Sequence, residues 1–358
     1  MHRLFQATTV ALCVTAVACS AGKKVESQTG YRGTGMEDLY SKTELANQVA
    51  AVAAKIPKSL PAAGAPRPLP MPWKNVQVLT DVSADEMTRT MLAMSQWVAG
   101  TQSNCQYCHN LSAPWDDTSA TGKPLYTKVV ARRMLQMVRN INQQYSGHVL
   151  NTGVTCYTCH LGKPIPNGVW FAEGSHQLER YFLDVNGVRV QTHVQAPSNG
   201  NRSSVKQAEW TYALMIKMSS SLGVSCNHCH NSRVFTSWEE APPQRVQAMI
   251  GAEMVRDLNQ HYLTPLEQVF PVVRRGPAGD APKLQCMTCH NGAYRPLYGY
   301  PMAKDYPALW GRPDWNGVKF PAVPAGPLTT ATPATAAPGK APAKAATGDV
   351  GPAAPTSR

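Results

Sequence analysis

Apolar positions recur with a helical period in four separate stretches of this chain, and each stretch precedes a cysteine pair. Ser83-Ala-Asp-Glu86 is a capping box that opens the first helix, which runs to about Val98 and is stopped by Gly100. The second spans about Tyr126 to Gln144 and places Val130, Met134, Met137, Val138 and Ile141 on one face. A third covers about Ala208–Ser221 and a fourth about Pro243–Tyr262. Between the second and third, the alternation in Tyr181-Phe-Leu-Asp-Val and Val188-Arg-Val-Gln-Thr predicts short strands.

The flanks read differently. Met1-His-Arg3 and an apolar run to Ala18 form an export signal, too short for a membrane span. The run ends Ala16-Val-Ala-Cys19-Ser20, which resembles a lipoprotein cleavage site with Cys19 as the lipidated residue; ordinary cleavage and a retained anchor are the alternatives. Residues 19–80 are expected to form a membrane-anchored extended arm with one short helix near 43–55. Residues 321–358 are almost all Pro, Ala, Thr, Gly and Lys, a composition that cannot bury a core and predicts a disordered tail.

Composition narrows the class. Only 16% of the 358 residues are charged, while 26 glycines and 29 prolines point to loops wrapped around something other than a regular sheet or bundle. That something is indicated by four copies of one motif: Cys105-Gln-Tyr-Cys108-His109, Cys156-Tyr-Thr-Cys159-His160, Cys226-Asn-His-Cys229-His230 and Cys286-Met-Thr-Cys289-His290. C-x-x-C-H is the attachment signature of c-type haem: the two thiols add to the porphyrin vinyl groups and the histidine takes one axial face of the iron. Zinc knuckles do not need the trailing histidine, and a dithiol oxidoreductase does not need four copies. Eight of the ten cysteines lie in the motifs and the other two, Cys13 and Cys19, in the leader, which leaves no thiol pair for a structural disulfide. The formal charge of +12 would suit nucleic acid, but four haems bring propionates worth about −8 and leave about +4, and Lys and Arg are scattered. Arg132, Arg133, Arg139 and Arg256 are candidate propionate partners.

The halves repeat. Met137-Val-Arg-Asn-Ile-Asn-Gln-Gln-Tyr145 matches Met254-Val-Arg-Asp-Leu-Asn-Gln-His-Tyr262, and Met91-Leu-Ala-Met94 matches Met215-Ile-Lys-Met218. The predicted fold is mainly α with extensive loops and a few short strands. It comprises a first di-haem unit (81–162), a connecting segment (163–206) and a second di-haem unit (207–320), related by a pseudo-twofold. Each iron needs a second axial ligand unless it binds substrate. Met91 or Met94, Met134 or Met137, and Met215 or Met218 are placed to serve the first three haems. The register sets Met134 against Gly251, so the fourth haem lacks a counterpart and must take a ligand from elsewhere or stay open. Among the spare histidines, His148 stands eight residues before Cys156; if it reaches the fourth haem, haems two and four are neighbours.

The chain resembles the tetrahaem cytochrome c subunit of purple bacterial photosynthetic reaction centres. The likeness runs from about Gln28 to Tyr306, on Gln28-Thr-Gly-Tyr-Arg-Gly33, Arg89-Thr-Met91, Val130-Ala-Arg-Arg-Met134, Gly153-Val-Thr-Cys-Tyr-Thr-Cys-His160, Ala213-Leu-Met215, Met254-Val-Arg-Asp-Leu-Asn259 and Lys304-Asp-Tyr-Pro307. It implies Met91, Met134 and Met215 as sixth ligands of the first three haems and His148 as that of the fourth, opposite His290. It also implies docking on the periplasmic L and M subunits, with the H subunit in the same complex, and re-reduction of the photo-oxidised bacteriochlorophyll pair. Electrons would enter from a soluble cytochrome c or a high-potential iron–sulfur protein, and Asp81, Asp85 and Glu86 are candidates to steer a basic donor. The rival reading is a periplasmic multihaem oxidoreductase with one open haem site; a free electron shuttle is a third, disfavoured by the anchor.

Overall fold

The computed structural model describes residues 25–29, 35–39, 41–62, 73–100, 105–116, 124–172, 178–183 and 205–310. The signal, Cys19, Val188–Thr192 and the tail lie outside them. Strands β1 (Val25–Thr29) and β2 (Gly35–Leu39) form an antiparallel pair in which Val25 faces Leu39 and Thr29 faces Gly35. Helix α1 (Lys42–Ala53) follows, its N-terminus capped by Ser41, which accepts from the Glu44 N–H at 3.3 Å.

Helix α2 (Ala84–Ala99) begins where the capping box predicts: the Ser83 hydroxyl accepts from the Glu86 N–H at 3.2 Å, and Gly100, at φ 70°, ends it. The Glu86 carboxylate turns to the Arg89 guanidinium at 3.0 Å, and Arg89 also donates to the Leu60 carbonyl. Ala93, Met94 and Trp97 carry the buried apolar face. Trp97 meets Tyr306 edge-on with ring centroids 4.6 Å apart, while Arg89 covers the Tyr306 ring at 4.2 Å. Two segments more than two hundred residues apart in sequence are thereby stapled together.

Helix α3 (Tyr126–Gln144) is buried on nearly every side from Leu135 to Asn142. A one-turn helix α4 (Ser146–Val149) carries His148. Its exit passes Gly153, where a Cβ would lie 2.8 Å from the Trp310 ring, so a side chain there is excluded. The second half supplies α6 (Val205–Leu222) and α7 (Gln244–Leu258), with the one-turn helices α5 (Cys156–His160) and α8 (Cys286–His290) at the second and fourth motifs. Helix α7 runs on into a π-helical turn, Asn259–Leu263, and then a tight turn at Thr264–Leu266, where Pro265 has no N–H to extend the ladder.

Two expectations are corrected here. Glu179–Phe182 is a 3-10 turn, not a strand. Phe182 is 1% exposed, and the carbonyls of Tyr181 and Phe182 accept from Arg256 and Asn259 side chains instead of a neighbouring strand. Asp81 and Glu86 do not form a steering patch: Asp81 is bound by Arg139 at 2.7 Å and Glu86 by Arg89, so each carboxylate meets a guanidinium within the fold.

The chain just before the fourth motif is fixed by a buried charge. Lys283, 2% exposed at its side chain, holds Glu267 at 3.0 Å and Thr264 Oγ1 at 3.1 Å, and its backbone pairs with Trp170. Glu267→Gln leaves that ammonium without its carboxylate and is expected to cost about 2–3 kcal/mol, below the buried-pair range because Glu267 is partly solvated. A midpoint unchanged in thermal unfolding of the holoprotein would contradict this.

Candidate haem-binding site

The four motifs fold in two ways. The second and fourth form α5 and α8, each closed at its start by the threonine within the motif: Thr158 Oγ1 accepts from the Thr155 N–H at 2.9 Å, and Thr288 Oγ1 from the Gln285 N–H at 3.1 Å. Each ends in a left-handed residue, Leu161 or Asn291, both at φ 50°. The first and third are 3-10 turns, Cys105–Tyr107 and Cys226–His228, in which the His109 and His230 N–H groups return to the carbonyls of Cys105 and Cys226. Motif one thus matches three, and two matches four.

The match extends to residues that periodicity and spacing did not single out. Asn142, in α3, accepts from the Val154 N–H at 2.7 Å and donates to the Val154 carbonyl at 3.0 Å. Asn259, at the end of α7, does the same to Leu284, at 2.7 and 3.0 Å. Both asparagines are buried, and each clamps the residue two places before an attachment cysteine. Their only signal in the sequence is position: they align within the nine-residue repeat. Gly162 N–H donates to Trp97 O and Gly292 N–H to Ser221 O, both at 2.9 Å, tying each of these motifs back to the helix before the preceding one.

Four of the five predicted imidazole ligands are oriented alike. The Nδ1 atoms of His148, His160, His230 and His290 lie 3.0, 2.8, 2.9 and 2.9 Å from the carbonyls of Gln247, Lys163, Phe235 and Ala293. A carbonyl can only accept, so Nδ1 carries the proton and Nε2 keeps its lone pair for a metal. Burial lowers the pKa of all four rings, that of His290 to about 4, and so favours the neutral, ligating form at ordinary pH. His109 stacks on Trp115 with centroids 4.8 Å apart.

His148 and His290 meet across the two halves with ring centroids 6.2 Å apart. Metal–imidazole bonds are about 2 Å and each ring nitrogen sits about 1.2 Å from its centroid, so two imidazoles on opposite sides of one ion have centroids about 6 Å apart. The pair therefore fits one iron with two imidazoles. Methionines sort as well: Met94 and Met137 are buried in the polypeptide core, whereas Met91 and Met134 are half-buried on the same helices. Met215 and Met218 are both half-buried, and burial does not separate them. Among the described residues no three His, Cys, Asp or Glu side chains converge as a metal cage.

Helices α5 and α8 pack together, which brings Cys159 of the second motif and Cys289 of the fourth to a Cα separation of 4.4 Å.

Four thiol pairs each followed by a histidine, three of those histidines with Nδ1 fixed on a carbonyl, and an imidazole facing the last of them define a c-type cytochrome. The family profile described as photosynthetic reaction centre cytochrome C subunit matches residues 21–177 and 174–310. The chain is 40% identical over 334 residues to the photosynthetic reaction center cytochrome c subunit of Rubrivivax gelatinosus, covering 84% of this chain and 89% of that one. It is 40% identical over 331 residues to that of Thermochromatium tepidum, covering 85% and 80%. Over 272 residues it is 39% identical to that of Roseobacter denitrificans, covering 66% and 72%. The chain belongs to the family of photosynthetic reaction centre cytochrome c subunits. Its role is haem-based electron transfer, not enzymatic turnover, and its association is with the photosynthetic membrane. Among the described residues no helix is long and apolar enough to cross that membrane.

Proposed function

We propose that this chain binds four haems, docks on the periplasmic face of the L and M subunits in a complex that also holds the H subunit, and is held at the membrane through Cys19. Each haem supplies a reversible one-electron change at iron, and the four together carry electrons from a soluble cytochrome c or high-potential iron–sulfur protein to the photo-oxidised bacteriochlorophyll pair.

The residues divide the work. Cys105, Cys108, Cys156, Cys159, Cys226, Cys229, Cys286 and Cys289 anchor the groups as thioethers. His109 with Met91, His160 with Met134, His230 with Met215, and His290 with His148 hold the irons. The two halves act as di-haem units related by a pseudo-twofold. The family resemblance orders the groups from the special pair outward as that at Cys226/Cys229, then Cys286/Cys289, Cys156/Cys159 and Cys105/Cys108. The packing of α5 on α8, which sets motifs two and four side by side, supports the middle of that order.

The observation that carries the reading is the His148–His290 pair, two rings from different halves at the separation one iron requires. It also argues against the rival enzyme reading, which needs one iron open to substrate. The test uses the native membrane complex. Four haems per chain by pyridine haemochrome, haem oxidation after a flash, and no rapid binding of carbon monoxide to the reduced complex are expected. Fewer than four haems, no flash-induced haem oxidation, or rapid carbon monoxide binding at one haem would overturn the reading.

A further inference from the structure

Gly251 stands in the middle of α7, where glycine costs about 1 kcal/mol relative to alanine. The backbone does not ask for it, since Gly251 is not among the residues with positive φ. What it does is make room. A Cβ on Gly251 would lie 2.6 Å from Cε1 of His148, 3.1 Å from its Nε2 and 3.2 Å from its Nδ1. The Cε1 edge of the imidazole therefore points at the bare Cα.

The same helix also holds the ring. The carbonyl on His148 Nδ1 belongs to Gln247, one turn before Gly251. Side chains on a helix lean towards its N-terminus, so a side chain at position 251 would cover the turn in which Gln247 O is exposed. The glycine and the carbonyl thus form one seat, and both parts are backbone.

The repeat shows the exchange between halves. In its register Gly251 stands against Met134, and His148 stands against Pro265. The half that supplies the histidine keeps a methionine where the seat would be. The half that supplies the seat has a proline where the histidine would be.

We propose that Gly251 is the positioning residue of the fourth haem: its missing side chain, with the Gln247 carbonyl, seats the His148 imidazole opposite His290. This rests on the reading that His148 and His290 are the fourth haem's axial ligands.

Two variants separate the proposal from that reading, both made in the full chain within its membrane complex. His148→Ala should convert one haem from low to high spin, by absorption and electron paramagnetic resonance, and open it to carbon monoxide. No change at any haem there would overturn the ligation reading itself. Gly251→Ala should show the same change at the same haem while leaving the other three spectra and potentials unaltered. A wild-type spectrum and potential in Gly251→Ala, with His148→Ala altered, would overturn the glycine proposal alone. If Gly251→Ala does not assemble, free imidazole decides. It should restore the low-spin spectrum of His148→Ala, and at least tenfold more should be needed in His148→Ala/Gly251→Ser. Equal concentrations for both would overturn the proposal.

Discussion

Asn259→Ala is expected to destabilise the protein by about 4 kcal/mol and to cost it the fourth haem before any other. Asn259 is fully buried and makes three hydrogen bonds: from the Leu284 N–H, to the Leu284 carbonyl, and to the Phe182 carbonyl. Alanine removes the donor and the acceptor together and leaves those backbone groups in a dry interior, where each unpaired group costs about 1–3 kcal/mol. Leu284 is two residues before Cys286, so its release loosens the strand that aims both thiols and His290. Haem stoichiometry resolved by redox titration, alongside the unfolding midpoint, checks this. An unchanged midpoint with four haems bound would show that the clamp carries no weight. Asn142→Ala should do the same to the second motif through Val154, and Asn259→Asp, which sets a carboxylate oxygen against the Phe182 and Leu284 carbonyls, should be no less damaging than Asn259→Ala.

That prediction also marks where the sequence stops being informative. The helices were legible because their apolar faces bury against neighbours: α3 spans the predicted Tyr126–Gln144, and α2 opens at Ser83 and stops at Gly100. The asparagine clamps were not, because a polar residue in an amphipathic helix reads as solvent-facing, and only the fold shows that α3 is enclosed on that side as well. The same blindness made Asp81 and Glu86 look like surface acids near a helix start, when each meets a buried guanidinium. Alternation over Tyr181–Val185 mimicked a strand, but a strand needs a partner edge, and α7 offers the side chains of Arg256 and Asn259 to those carbonyls instead. The link between the halves was legible for a different reason. A repeat makes an exception visible, and the missing methionine at Gly251 pointed to a ligand from elsewhere. What the sequence could not show is that the glycine and the histidine touch.

His148→Met is expected to raise the potential of one haem, the fourth, by on the order of 0.1 V, well inside the roughly 0.8 V span that axial ligands command. A thioether donates less electron density than an imidazole and so stabilises the ferrous relative to the ferric state, which is why Met/His ligation lies above bis-His. The seat can take the exchange: over Gly251 there is no side chain to displace, and an unbranched methionine adapts to irregular space. Position 148 lies on the short α4, whose direction is fixed by α3 before it and by Leu150 at φ 53° after it, so the new side chain leaves the backbone where the histidine left it. A reductive titration of the complex should show three potentials unmoved and one shifted upward, with loss of the bis-imidazole resonance at that haem alone. If no haem moves, His148 is not an axial ligand and the link between the second and fourth motifs has another purpose. If a Met-ligated haem moves instead, the fold has joined His148 to the wrong half.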